Sequence, residues 1–479
     1  MHLNSFVETP GGGRRVDYST VGSEGYSIPD AVLDDPGKRH MKIIAIGCGR
    51  STIESAYYLQ KHIQNYELVA YDKNPDIGGT WLDNKYPGVA CDIPSHAYAY
   101  AFAPNPDWPR VLASGQDVWA YLDRVCNVFG LRKCMRFNTE VLGLYWQDVE
   151  GKWLVKLRTT TPEGQTVESE DTCDIVLYHK GGLNTPKMPK LPGLDTFRGQ
   201  VIHTARWPKD YSQERWGERI AVLGSGASAI QVVPDRLNED FAQNHAYTQE
   251  ERDAFRSDPE KLIAHGKEMD GAFNRFLPAL FAGSPASAAL QEMFTKRMAQ
   301  HIKDERLLKG FTPSFAVGCR RVTPGDPYMK AIQEPNVTVH FTPVVSCTED
   351  GVIGGDGVET KVDTIVCATG FDVSYRPPFP VVGKHDVDLR KKWAEEANGY
   401  MSVAVPDIPN LVMALGPTWP VINGTACGSF QANSMYGIRV IEKMQRDNIK
   451  SWMPRQDVTD KFNQHVQARH RLPRTSTDS

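Results

Sequence analysis

Residues 42–52, KIIAIGCGRST, decide the fold, because a continuous apolar run passes straight into a glycine-containing turn. Runs of this kind are typical of parallel strands that are covered on both faces. A helix is predicted over about residues 51–62, and a second predicted strand, residues 67–71, ends in Asp72. The order strand, glycine turn, helix, strand predicts a dinucleotide-binding unit of the α/β class.

Each residue type in this turn has a physical role in the prediction. Gly47 permits the tight turn, Gly49 lets backbone amides approach a pyrophosphate, and the helix N-terminus adds a partial positive charge. Asp72 follows Gly47 by 25 positions, which suits a carboxylate that hydrogen-bonds a ribose. Thr52 replaces the third glycine of the usual pattern, so its side chain must fit where helix and strand pack closest. Arg50 either contacts the phosphates or is solvated, and the sequence leaves both open.

A second unit of the same type begins at residues 219–223, RIAVL. This run enters a turn of the variant form G-x-G-x-x-A, and the opening of a helix follows. Its candidate cofactor-binding residues are Gly224, Ser225, Gly226, Ala227 and Ser228. Two such units predict two bound dinucleotides. A hydride donor and a flavin acceptor are the simplest pair, since the protein then only has to bring two reactive rings together. The alternative is a duplicated lobe with a structural role.

The composition is that of an enzyme-sized globular chain, with 479 residues, 41% of them apolar and 23% charged. A net charge of −4 offers no field for nucleic acid or an anionic membrane, so neither is an expected partner. Nine cysteines without a C-x-x-C pair favour neither a disulfide framework nor a metal site, and they suit a reducing compartment. Because no apolar run approaches the roughly 18 residues of a membrane helix, we expect a cytoplasmic protein. The sequence does not determine its oligomeric state.

Between the two units, residues 197–208, FRGQVIHTARWP, fit the pattern F-x-G-x-x-x-H-x-x-x-W-P. This segment resembles the identifying sequence of type I Baeyer-Villiger monooxygenases, a branch of the flavin-containing monooxygenase superfamily. Further matches follow in the order seen in that family: Gly78-Gly-Thr-Trp81, Tyr86-Pro-Gly88, Cys91-Asp-Ile-Pro-Ser95, Gly318-Cys-Arg-Arg321 and Ala368-Thr-Gly-Phe371. The resemblance covers about residues 40–465. It implies an α/β fold with two Rossmann-like dinucleotide-binding domains, one for FAD and one for NADPH, and a helical insertion.

The resemblance also implies a reaction. In that family NADPH reduces FAD, and the reduced flavin takes up O2 to form a C4a-peroxyflavin. The peroxide adds to a small-molecule ketone, and migration of a carbon gives an ester or lactone. Arg321 matches the family's active-site arginine, which would hold positive charge beside the peroxide and the developing oxyanion. Asp92 matches the carboxylate that orients this arginine.

The remaining site residues are likewise implied by the resemblance. His203 and Trp207 match linker residues that couple cofactor movement to the second lobe. The candidate FAD-binding residues beyond the first glycine turn are Gly79, Thr80, Trp81, Asp92, Tyr98 and Val141.

Together these patterns divide the chain into six segments. They are an N-terminal arm at 1–39, the first part of the FAD-binding domain at 40–180, the first part of the NADPH-binding domain at 181–235, a helical insertion at 236–312, the second part of the NADPH-binding domain at 313–385, and the return of the FAD-binding domain with a C-terminal tail at 386–479. Within them, strands are predicted at residues 337–341 and 364–367, and a helix at about residues 430–446.

Two departures from the family pattern accompany Thr52. Residues 178–182, YHKGG, stand where many members have an Ala-Thr-Gly turn, although the second such turn, 368–370, is intact. Between Arg236 and Glu250 there is no apolar run of strand length, so a segment of about two dozen residues is missing by the family pattern. NADPH would then bind weakly or differently, or the sequence is a splice or gene-model variant.

These departures keep two alternatives open beside a Baeyer-Villiger enzyme. One is a flavin monooxygenase that oxygenates nitrogen or sulfur. The other is a redox-silent protein of the same fold that serves as an isomerase or a partner protein.

Overall fold

The computed structural model describes residues 6–8, 14–16, 39–211, 217–236, 244–281, 283–320, 322–419 and 425–470. Most of the predicted N-terminal arm, the last residues of the tail and the candidate catalytic residue Arg321 therefore lie outside the described residues.

Strands and helices alternate at the start of each glycine-turn unit, and elsewhere they occur in runs of strands or of helices. The strands are β1 Phe6–Glu8, β2 Arg14–Val16, β3 Met41–Ile46, β4 Tyr66–Tyr71, β5 Met135–Arg136, β6 Thr139–Gln147, β7 Lys152–Thr160, β8 Thr166–Cys173, β9 Ile175–Tyr178, β10 Gln200–His203, β11 Ile220–Leu223, β12 Val344–Thr348, β13 Gly351–Gly354, β14 Glu359–Lys361, β15 Thr364–Cys367, β16 Val381–Val382 and β17 Leu411–Met413. The helices are α1 Arg50–His62, α2 Thr80–Asp83, α3 Gly115–Val128, α4 Ala227–Arg236, α5 Gln249–Ser257, α6 Pro259–Asn274, α7 Pro285–His301, α8 Glu305–Phe311, α9 Asp326–Ala331, α10 Leu389–Lys392, α11 Cys427–Arg446 and α12 Gln456–His470.

The first lobe is a parallel sheet with strand order β17-β9-β3-β4-β5. Successive residues of β3 point to opposite faces of the sheet. Ile43 and Ala45 enter a core that also contains residues of α1, α3 and α11, whereas Ile44 and Ile46 enter a core shared with β6 and β7. The second core is closed by the mixed sheet β16-β6-β7-β8. Both faces of β3 are therefore covered, which explains its continuous apolar run.

The second lobe is a smaller parallel sheet with strand order β10-β15-β11. β11 leads into α4 in the same way as β3 leads into α1, and β15 corresponds to β9. An antiparallel sheet of β12, β13 and β14 packs beside β15 around Ile365 and Cys347. The predicted fold class, α/β with two Rossmann-like units, is confirmed.

The predicted strand at residues 337–341 is wrong, because the structure has irregular backbone there. In the first lobe, β3 is hydrogen-bonded to β9 on one side and to β4 on the other, and β5 lies beyond β4. In the second lobe, β11 pairs with β15 alone among the described strands. A strand forms only where a neighbour offers a hydrogen-bonding ladder, and residues 337–341 have no such neighbour in the described part of the chain.

The segment after α4 is helical, as predicted. Helices α5 and α6 pack on the first lobe around His96, whose ring contacts Tyr247 and Phe255. Helices α7, α8 and α9 form a separate apolar cluster that includes Ile302 and Ile332. In the part of the chain that the structure describes, no helix is long and apolar enough to cross a membrane.

Candidate active site

Glycines line a cradle at the carboxyl edge of the first sheet. Gly47 has a φ of +95°, and a Cβ there would lie 2.8 Å from the carbonyl oxygen of His179. A Cβ on Gly79, where φ is +53°, would lie 3.2 Å from Cα of Gly49. The Gly78 amide donates to the carbonyl of Cys48 at 3.1 Å, which holds the two glycine pairs together. Backbone thus comes close to this edge without side chains in the way, as binding of a pyrophosphate requires.

Asp72 lies at the end of β4, beside this cradle. Its carboxylate accepts from the Cys48 amide at 2.7 Å and from the Asn74 amide at 2.8 Å. Burial raises the pKa of Asp72, and the two amide bonds oppose that rise. The Asp72 carbonyl accepts from Thr139 at the start of β6, so the candidate residue Val141 lies two positions from this contact. Its side chain is buried in the core between β6 and the sheet.

Thr52 stands where the family pattern has its third glycine, and its hydroxyl makes two hydrogen bonds. Its hydroxyl lies 2.6 Å from the Gly47 carbonyl and 2.9 Å from Nδ1 of His179. The hydroxyl has one proton, which the shorter contact uses, so the His179 Nδ1–H donates to Oγ1 and the ring is the Nδ1-protonated tautomer. Burial lowers the pKa of His179 to about 3, which keeps the ring neutral. Two departures from the family pattern therefore contact each other.

Arg50 is buried. The prediction that it is solvated, one of the two alternatives from the sequence, is therefore wrong. Its guanidinium donates to the carbonyls of Tyr98 and Ala99 at 3.0 and 3.3 Å. It also lies over the rings of Tyr98 and Tyr100, at 4.7 and 4.2 Å from their centroids. The indole Nε1–H of Trp81 donates to the Tyr98 hydroxyl at 3.2 Å. The candidates Trp81 and Tyr98 thus form one aromatic wall next to the first turn, and Thr80 begins α2 just before it.

Asp92 lies in a loop that joins the two lobes. In this loop the Tyr86 hydroxyl donates to Gln231 of α4 at 2.8 Å, and the Gln231 amide donates to the Ala90 carbonyl at 3.0 Å. Asp92 is close enough to Tyr86 to help raise the pKa of that phenol, after burial as the main cause. Because α4 starts at the second glycine turn, these contacts attach the loop that carries Asp92 to the helix that follows that turn.

The second glycine turn repeats the geometry of the first but is open to solvent. Gly224 has a φ of +124°, and a Cβ there would collide with the carbonyl oxygen of Ala368. The stretch from Gly224 to Ala227 is exposed and Ser228 is half-buried. The N-terminus of α4 is therefore accessible to an anionic ligand.

The linker between the lobes ends beside the intact Ala-Thr-Gly turn. His203 is buried at the end of β10, its Nδ1 accepts from the Ala205 amide at 3.1 Å, and its ring contacts Phe371. Burial lowers the pKa of His203. The ring of Trp207 lies edge-on to Tyr211, with centroids 5.4 Å apart.

The structure thus gathers most candidate residues around two glycine turns, while Arg321 lies outside the described residues. Its neighbours Arg320 and Val322 are exposed. Two residues were missed from the sequence: His179, whose signal was the altered turn at 178–182, and Gln231, for which there was no signal.

Two parallel-sheet lobes, each with a glycine turn at the carboxyl edge of its strands, define an oxidoreductase of the two-dinucleotide class. More particularly, the chain belongs to the flavin-binding monooxygenase-like family, whose sequence model matches residues 40–394. Its relatives identify it as a flavin monooxygenase.

Among the relatives, "FAD-binding monooxygenase moxY" of Dothistroma septosporum is 52% identical over 477 residues, covering 95% of this chain and 76% of the relative. "Baeyer-Villiger monooxygenase" of Streptomyces coelicolor is 34% identical, covering 79% and 73% of the two chains. Since 95% of 479 residues is about 455, the moxY alignment contains residues of the relative that have no counterpart here.

Solved structures share the fold. The open crystal structure of cyclohexanone monooxygenase has a TM-score of 0.76 at 24% identity and covers 90% of this chain and 93% of that one. The OTEMO complex with FAD and NADP has a TM-score of 0.78 at 22% identity, with coverage of 90% and 89%.

Proposed function

We propose that this chain is a monooxygenase of the Baeyer-Villiger type, which uses FAD, NADPH and O2 to insert one oxygen beside a ketone carbonyl and release an ester or lactone. The observation that supports the proposal is the pair of hydrogen bonds that joins the loop from Tyr86 to Asp92 to α4 through Gln231, because they attach the loop that carries Asp92 to the helix of the second glycine turn.

The first lobe fits FAD. Gly47, Gly49 and Gly79 leave room at the turn that side chains would take, and Asp72, which lies beside the turn, would hydrogen-bond the ribose. Trp81 and Tyr98 add an aromatic wall, and Thr80 begins α2 beside it. Val141 is buried in the core behind the sheet. Bound there, FAD supplies the reduced flavin that activates O2.

The residues of this chain supply charge and position. Arg321 would stay protonated at working pH and hold the negative charge that develops on oxygen as it adds to the ketone. Asp92 would fix the orientation of this guanidinium. His203 and Trp207, in the linker, would transmit movement of NADPH, held at residues 224–228, to the first lobe.

The direct test is product analysis with labelled oxygen. FAD-loaded protein is mixed with NADPH and a panel of ketones under 18O2, with sulfides and amines run in parallel. An ester with one labelled oxygen supports the proposal. Sulfoxide or N-oxide without ester overturns it in favour of nitrogen or sulfur oxygenation, and a flavin that NADPH does not reduce overturns it in favour of a redox-silent protein.

An Asp92→Asn variant tests the role of the carboxylate. Loss of an electrostatic contact of this type lowers ester formation by about 100-fold or more, whereas the amount of bound FAD stays at the level of the parent. The control is Asp195→Asn, since Asp195 is exposed in the second lobe. Equal ester formation by the Asp92→Asn variant and its control would remove Asp92 from the reaction.

A further inference from the structure

Among the residues that the structure describes, the second dinucleotide lobe has no strand on the side where the first lobe carries Asp72. In the first lobe, that carboxylate belongs to Asp72 at the end of β4, the strand next to β3. In the second lobe, no described strand pairs with the corresponding edge of β11. Every residue of β11 is partly exposed, while five of the six residues of β3 are buried. The exposure of β11 is what an uncovered edge predicts.

The chain beyond α4 is held on the first lobe instead. Asn244 and Leu112 exchange two hydrogen bonds of 2.7 Å between the Asn244 side chain and the Leu112 backbone. His245 accepts from the Val111 amide at 2.9 Å, and the Tyr247 amide donates to Pro109 at 2.9 Å. Residues 244–247 are therefore committed to pairing with residues 109–112 and do not contribute to the edge of β11.

The part of the second lobe that binds a pyrophosphate is nevertheless complete. Gly224 has the positive φ and the close carbonyl contact seen at Gly47, and the turn beyond it is exposed at the N-terminus of α4. The alignment with moxY also contains residues of that relative that have no counterpart in this chain. A dinucleotide would meet its phosphate site there, but in the described part of the chain no second strand follows α4 to supply the side chains that contact the 2′ position of the ribose in a Rossmann unit.

We infer that the second lobe holds a nicotinamide dinucleotide through its pyrophosphate and does not distinguish NADP+ from NAD+. This inference rests on the proposed function only in that residues 224–228 are the nicotinamide dinucleotide site. A single charge-assisted hydrogen bond to a 2′-phosphate would favour NADP+ about tenfold or more. Without it, the two dissociation constants lie within about threefold of each other.

The test is calorimetric titration of the FAD-loaded protein with NADP+ and, separately, with NAD+, neither of which undergoes a reaction. Similar dissociation constants support the inference, and binding of NADP+ at least tenfold tighter overturns it. A Gly224→Ala variant is the control for location, because a Cβ there meets the Ala368 carbonyl. It should lose affinity for both nucleotides while it retains FAD.

Two further results complete the test. If the folded, FAD-loaded protein binds neither nucleotide, or if Gly224→Ala leaves binding unchanged, the inference is overturned, because the turn is then not the pyrophosphate site. If both nucleotides bind equally but no ketone gives an ester, the inference stands and the proposed reaction fails. Binding and product analysis therefore separate the two.

Discussion

Replacing Thr52 by Val is the sharpest test of how the first glycine turn is built. The side chain of Thr52 is 1% exposed, and its hydroxyl contacts both the Gly47 carbonyl and Nδ1 of His179. Valine has nearly the same shape, so the substitution removes the hydroxyl without opening a large cavity. The change therefore isolates the two hydrogen bonds.

The expected loss in the free energy of unfolding comes from the buried polar groups that remain unpaired when the hydroxyl is removed. Each buried polar group that loses its partner costs about 1–3 kcal/mol. His179 is neutral because burial lowers its pKa to about 3, so the values for neutral groups apply. With the His179 Nδ1–H and the Gly47 carbonyl both affected, Thr52→Val should lower the free energy of unfolding by about 2–6 kcal/mol.

The assay is chemical unfolding of four proteins: the parent, Thr52→Val, His179→Ala and the double variant. Because the two side chains share a bond, the double variant should be about 1–2 kcal/mol more stable than additivity predicts. The control is Thr166→Val, an exposed position in β8 at which we expect a change below about 0.5 kcal/mol. If Thr52→Val costs no more than this control, or the two changes add, the hydroxyl does not hold the turn.

The other predictions concern the two turns, pH and the candidate arginine. Gly47→Ala and Gly224→Ala each impose about 1–3 kcal/mol of backbone strain, because both positions have a positive φ. Flavin absorbance of the purified proteins should show that Gly47→Ala loses FAD and that Gly224→Ala retains it. Equal FAD content in the two variants would contradict the assignment of FAD to the first lobe. Burial lowers the pKa of His96 from 6.5 to about 4, so the unfolded chain binds a proton first and stability falls as pH falls through this window. His96→Phe should flatten this loss in thermal unfolding at pH 7 and pH 4.5, and an unchanged loss would show that His96 does not cause it. Arg321→Ala should reduce ester formation about 100-fold while FAD stays bound. The control variant Arg320→Ala should leave ester formation unchanged. Similar ester yields from the two variants would show that Arg321 is not the active-site arginine.

Much of the first lobe could be predicted from sequence, because its determinants are local. The apolar run of β3 leads directly into the turn at Gly47, and the acid that ends β4 follows Gly47 by 25 positions within the same strand-helix-strand unit. The second turn was predictable for the same reason. Patterns of this kind can be recognised without knowing which distant segments pack against them.

The contacts between distant segments could not be predicted. His179 is 127 positions from Thr52, and only the folded sheet, in which β9 lies beside β3, brings them together. Arg50 reads as a solvated or phosphate-binding residue until Tyr98 and Tyr100 cover it. No periodicity in one segment carries information about such partners.

The two lobes of this chain serve as references for each other, and their departures from the shared pattern have opposite effects. At the ends of β9 and β15, His179 corresponds to Ala368, and Gly181 to Gly370, with the same φ of +77° in both glycines. The larger side chain in the first lobe is matched by Thr52, so this change adds a hydrogen bond behind the turn and preserves the cradle. In the second lobe the turn keeps its Ala-Thr-Gly support, but of the strands that the structure describes none pairs with the edge of β11 opposite β15, and none offers a ladder to residues 337–341. A substitution that is compensated locally therefore preserves the first glycine turn. An edge such as that of β11, which has no partner among the described strands, leaves hydrogen-bonding groups that no single side chain can pair, so we expect the second lobe to be where this chain differs from its family.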